Sequence, residues 1–96
     1  MKICVVYTVP NLKKEEYLGT SRDLGIDHDD TSTWPKGLLS HTAGEAAEGW
    51  KIVDVWESAE LFDEFLASKL MPSLKKTDTL PPKLEFFDVH SFDARN

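Results

Sequence analysis

The stretch GWKIVDVWES, residues 49 to 58, constrains the fold more than any other part of the chain. With the two-residue period of a strand, Trp50, Ile52, Asp54 and Trp56 fall on one face and Lys51, Val53 and Val55 on the other. Both faces are apolar enough to need cover. Asp54 adds a second constraint. A carboxylate on an apolar face must be paired, hydrogen-bonded, protonated or set against a wet cavity, because an isolated buried charge is too costly.

The flanking segments supply the rest of a small α+β domain. KICVVYTV, residues 2 to 9, is β-branched and aromatic, and Pro10 stops it. Asn11 offers an N-cap to a helix in which Leu12, Tyr17, Leu18 and Leu24 form a loose apolar stripe interrupted by Gly19. Residues 25 to 37 are rich in Asp, Thr, Ser, Gly and Pro and read as an exposed connection. LLSHTAG is a short strand, and GEAAEG, residues 44 to 49, joins it as a hairpin to WKIVDVWE. Ser58 then caps a helix over residues 59 to 70, whose apolar face is Leu61, Phe62, Phe65, Leu66 and Leu70; Pro72 is expected to limit it. MPSLKKTDTLPP is a connection with room for one short turn, and KLEFFDVHS is the last strand, so that His90 falls within it.

The order strand, helix, strand, strand, helix, strand predicts the ferredoxin-like split βαβ arrangement. Its four-stranded antiparallel sheet carries both helices on one face. The other face would stay open, yet the last strand repeats the two-sided apolar pattern of the third. A second copy of the same sheet is the simplest cover, and a chain of 96 residues gains appreciably from a partner.

The chain is long enough for one domain and no more. Its net charge of −6 argues against nucleic acid or an anionic membrane as partner, since both select clustered Lys and Arg. The pairs Lys13-Lys14 and Lys75-Lys76 are too short to change that and read as solvated helix faces. No run reaches the roughly 18 apolar residues of a membrane span, and the N-terminal segment lacks the pattern of a signal peptide. One cysteine, Cys4, excludes an internal disulfide and suits a reducing cytoplasm; in its apolar strand it reads as a small hydrophobe rather than a catalytic thiol.

His41 and Asp54 lie on the two strands of the predicted hairpin, where same-face neighbours approach within about 5 Å. If they share a face, His41 is a candidate general base oriented by Asp54; otherwise the two form a structural buried pair, or Asp54 accepts backbone hydrogen bonds. Trp50 and Trp56 are candidates to stack on an aromatic ligand, or else fill a core or dimer interface. Tyr7 and His90, on the two remaining strands, could bring a hydroxyl and a second imidazole to the same cavity. A ligand site would show as a continuous pocket of roughly several hundred Å³ with His41 exposed to it.

The acidic run Asp27-His28-Asp29-Asp30 packs four possible metal ligands together but lacks the glycine and the terminal Glu of a calcium loop, so it reads as a solvated loop. The three histidines have no zinc spacing, and neither a phosphate loop nor a G-x-S-x-G is present. The residues call for no metal and no organic cofactor.

GWKIVDVWESAELFDEFLASKLMP, together with the preceding LLSHTAGEAAEG, resembles the dimeric α+β barrel superfamily, which includes antibiotic-biosynthesis-type monooxygenases. The resemblance is carried by residues 37 to 72, in particular by a strand ending in D-x-W-x-S that runs into an amphipathic helix followed by proline. It implies a homodimer with two sheets packed face to face, helices outside, and a pocket in each subunit. Asp54, Trp50 and Trp56 would line that pocket. The activities it implies range from oxygenases that use neither metal nor flavin, through isomerases and haem-degrading enzymes, to proteins with no known activity, and the fold does not choose among them.

Overall fold

Alternating β-branched and aromatic residues make β1 (Ile3–Val9) the most buried strand, and it occupies an inner position of the sheet. The computed structural model describes residues 1–95. β2 (Leu38–Ala46), β3 (Gly49–Trp56), β1 and β4 (Lys83–Asp88) lie side by side in that order, every neighbouring pair antiparallel. This is the ferredoxin-like order expected from the element sequence.

α1 (Lys14–Leu24) connects β1 to β2, and a second helical segment connects β3 to β4. Asn11 does not cap α1. It adopts a left-handed turn with φ of 62°, and the Glu16 carboxylate accepts the Lys13 backbone N–H at 2.9 Å instead. At the other end Gly25, in the left-handed region, receives the chain as it turns back over the sheet. The hairpin turn is tighter than the expected span, since β2 runs to Ala46 and β3 begins at Gly49. A side chain at Gly49 would place its Cβ 2.4 Å from the Val9 carbonyl oxygen, so this close approach of the hairpin to the end of β1 requires glycine.

Ser58 caps α2 (Ala59–Phe65) as expected, its hydroxyl accepting the Leu61 N–H at 3.2 Å. Pro72 does not end the helix. A π-helical turn over Leu66–Leu70, in which the Met71 N–H reaches the Leu66 carbonyl, leads straight into α3 (Met71–Lys76). Pro72 sits in the first turn of α3, where a missing N–H costs little, and the wider turn precedes it. β4 ends at Asp88, which leaves His90 exposed beyond the strand rather than within it.

The register assigns the faces. Ile3, Val5, Tyr7 and Val9 pair with Trp56, Asp54, Ile52 and Trp50, and these eight residues face the helices. Phe62, fully buried on α2, packs edge-on against Trp56 at 5.5 Å and Phe86 at 5.8 Å between ring centroids. Burying one such ring contributes about 1.5–3 kcal/mol. The opposite face carries Cys4, Val6, Val53, Val55 and Phe87. There Val53 and Phe87 stand 40% and 58% exposed.

Candidate functional site

His41 and Asp54 are direct partners in the β2–β3 register and share the helix-facing side of the sheet. Asp54 is 1% exposed, yet its carboxylate is well provided with donors. The Tyr7 hydroxyl and the Trp56 indole N–H, the latter at 3.3 Å, both donate to Oδ2, while His41 Nδ1 lies 2.7 Å from Oδ1. Three donors from three positions of the same face resolve the constraint that Asp54 sets in the sequence: the acid is hydrogen-bonded throughout.

The proton on the His41 ring follows from these partners. A carboxylate only accepts, so Nδ1 carries the hydrogen, and in the neutral ring Nε2 then presents a lone pair. That lone pair meets Tyr17, whose hydroxyl oxygen lies 2.5 Å away. Tyr17 is the polar member of the apolar stripe of α1 and also reaches His28 Nε2 at 3.1 Å. The Ser21 hydroxyl approaches the same His28 nitrogen at 3.0 Å. The His28 and His41 rings stack, 4.5 Å apart and 10° from parallel, and Tyr17 lies over Trp50 at 4.9 Å.

Burial and the Asp54 charge set the electrostatics. Together they push the Tyr17 phenol up to about 12 and the Tyr7 phenol well above its ordinary value, so both hydroxyls remain neutral donors. Burial and the neighbouring His41 push the His28 imidazole down, with Asp54, Asp27 and Asp29 opposing them. Burial, helped by Asp54, also raises the Cys4 thiol, which suits a residue packed as a hydrophobe.

These groups form one end of a cavity of about 60 Å³ between the sheet and the helices, otherwise walled by Leu12, Leu24, Ile26, Leu38, Phe65 and Leu74. Tyr7, His41, Asp54 and Trp56 line it, as do Tyr17 and His28. The space is smaller than the several hundred Å³ expected of a ligand pocket: it suits a few waters or a small group. Larger grooves of about 200 and 320 Å³ contain none of the histidines.

Trp50 is buried against Tyr17, supporting the site from behind, and its indole N–H has no partner among the described residues. The structure does not bring His90 to the cavity. Sequence reasoning missed Tyr17 and His28. A hydroxyl among leucines on the stripe of α1 was an available signal for the first. For the second there was none, because His28 sits in a polar loop that reads as solvated. That loop instead folds on itself: Asp27 and Asp30 accept backbone N–H groups from Asp29 and Ser32, and the imidazole turns inward beside Ile26. Among the described residues no group of three or more His, Cys, Asp or Glu side chains is arranged to hold a metal ion.

No protein-family profile matches the chain, and no curated protein matches it. A solved structure from Deinococcus radiodurans, described as "a putative antibiotic biosynthesis monooxygenase", is similar over 100% of this chain and 97% of its own, with a TM-score of 0.55 and 16% identity. A second such structure, from Bacillus cereus, gives a TM-score of 0.47 and 16% identity over 100% of this chain and 98% of its own. At that identity the first likeness is one of fold, and the chain has the α+β ferredoxin-like fold of the antibiotic biosynthesis monooxygenase-like structures.

Proposed function

We propose that the protein is a homodimer that binds a small, largely apolar or aromatic molecule and removes a proton from it, with His41 as the base and Asp54 orienting it. The observation that carries this reading is the His41 ring itself. Its Nδ1–H is fixed by a buried carboxylate, and the ring lines an apolar cavity with Nε2 held by the Tyr17 hydroxyl, itself a lining residue. Proton removal leaves an electron pair on the substrate. That pair can react with dioxygen, as in a cofactor-independent monooxygenase, or take up a proton at another carbon, as in an isomerase. Tyr7 and Trp56 hold the carboxylate and line the pocket, and the name given to the Deinococcus radiodurans neighbour favours the oxygenase branch.

The dimer rests on the open sheet face, where Val53 and Phe87 stand exposed beside Val6 and Val55. A second copy of the sheet would cover it and close the barrel. No helix among the described residues is long and apolar enough to cross a membrane, and a lone buried cysteine fits the cytoplasm.

One observation favours a non-catalytic dimer instead: Tyr17 already occupies His41 Nε2, and the cavity is small. Oxygen uptake and product analysis with phenolic and hydroquinone-type compounds separate the two. Turnover that disappears in His41→Ala supports the base, whereas no turnover above the uncatalysed rate in either protein leaves the paired sheets as a scaffold. A monomeric mass by light scattering at micromolar concentration would sink the barrel.

A further inference from the structure

We infer that Tyr17 is a further catalytic residue of this site, a neutral proton shuttle whose hydroxyl meets the substrate and hands the proton on to His41. The inference rests on the reading of His41 as the base. Its starting point is that the His41 side chain is only 12% exposed and its one free nitrogen already faces the Tyr17 oxygen at 2.5 Å. A substrate in the cavity, which both side chains line, finds the imidazole nitrogen already taken by the half-buried Tyr17 hydroxyl.

The surroundings fit a shuttle. With the phenol held as the neutral species by burial and by Asp54, Tyr17 cannot wait as a phenolate base. It can receive one proton as it releases another. The substrate X–H bond breaks, its proton forms a new O–H bond on Tyr17, and the original hydroxyl proton passes to His41 Nε2. The electron pair stays on the substrate, and the imidazolium is neutralised by Asp54. His28 Nε2, 3.1 Å from the phenol oxygen and itself within 3.0 Å of the Ser21 hydroxyl, steers the oxygen and keeps its hydrogen aimed at His41. His28 is thus a positioning residue.

The test uses the full-length protein and nitroethane, a carbon acid small enough for the cavity, whose acidic carbon proton exchanges only slowly with water. Removal of that proton leaves the electron pair on the nitro group as a nitronate, followed by its ultraviolet absorbance. In Tyr17→Phe, which keeps the ring and its packing, kcat should fall by about 10²-fold with KM little changed, the usual size of a positioned proton transfer. In the wild type, kcat should show a solvent deuterium isotope effect, because the moving hydroxyl proton is exchangeable; His28→Gln should lower kcat less than Tyr17→Phe. Should Tyr17→Phe remain as active as the wild type while His41→Ala is dead, His41 takes the proton directly and the shuttle is overturned alone. A wild type without a solvent isotope effect overturns the shuttle in the same way. Turnover indifferent to both His41→Ala and Tyr17→Phe overturns the shuttle together with the base beneath it.

Discussion

The two faces of β3 invert the usual rule of acid outside and valine inside. On the helix-facing side Asp54 is almost wholly buried between Ile52 and Trp56; on the other side Val53 is 40% exposed. Each anomaly has a different physical resolution. Asp54 is stable because three donors converge on it, whereas Val53 and Phe87 on the open face stay exposed among the described residues. An acid inside therefore marks a polar site built into the core. Valines outside mark the face on which the proposed dimer would pair.

The largest effect is expected from breaking the inner anomaly. Asp54→Ala removes the acceptor of His41, Tyr7 and Trp56 at once and should lower stability by about 3–5 kcal/mol, as measured by urea denaturation. A loss below about 1 kcal/mol would mean that the three donors find other partners. On the outer face Phe87→Glu should leave the folded content unchanged by circular dichroism but convert a dimer to a monomer in sedimentation. A mass unaffected by this charge removes the open face as an interface.

Acidification sharpens the contrast from the inside. The folded state holds the His28 imidazole below its ordinary value of about 6.5. The unfolded chain then binds the proton more readily, so the stability that neutral His28 allows is full above that value and is lost as pH falls toward the lower folded one. Thermal melts between about pH 7.5 and 5 should show a decline that His28→Gln partly removes. The smallest effect concerns Cys4. Buried and with its thiol raised, it should resist iodoacetamide at neutral pH in the native protein and react once the chain is unfolded in urea.

Much of this was legible in the chain. The strand-helix-strand-strand-helix-strand order and the two-sided pattern of β3 led to the observed sheet, because period and turn chemistry are local properties. Pro72 misled because a proline within a helix reads as a stop, whereas the π-turn before it, formed by backbone bonds five residues apart, lets the helix continue. His90 falls beyond the end of β4, since nothing in KLEFFDVHS marks where pairing ceases. In the site, the His41–Asp54 pair was readable as a conditional: adjacent hairpin strands bring the two close, and only the register puts them on one face.

By itself the sequence determined the kinds of element, the apolar stripes and the presence of an acid that needed partners, since each follows from neighbours along the chain. Only the tertiary structure decided which face of β3 met the helices, and that Tyr17 and His28, 24 and 13 residues before His41, close over its ring. Those contacts depend on how α1 and the loop after it pack back on the sheet. Packing of that kind is a property of shapes in three dimensions, and no local period records it.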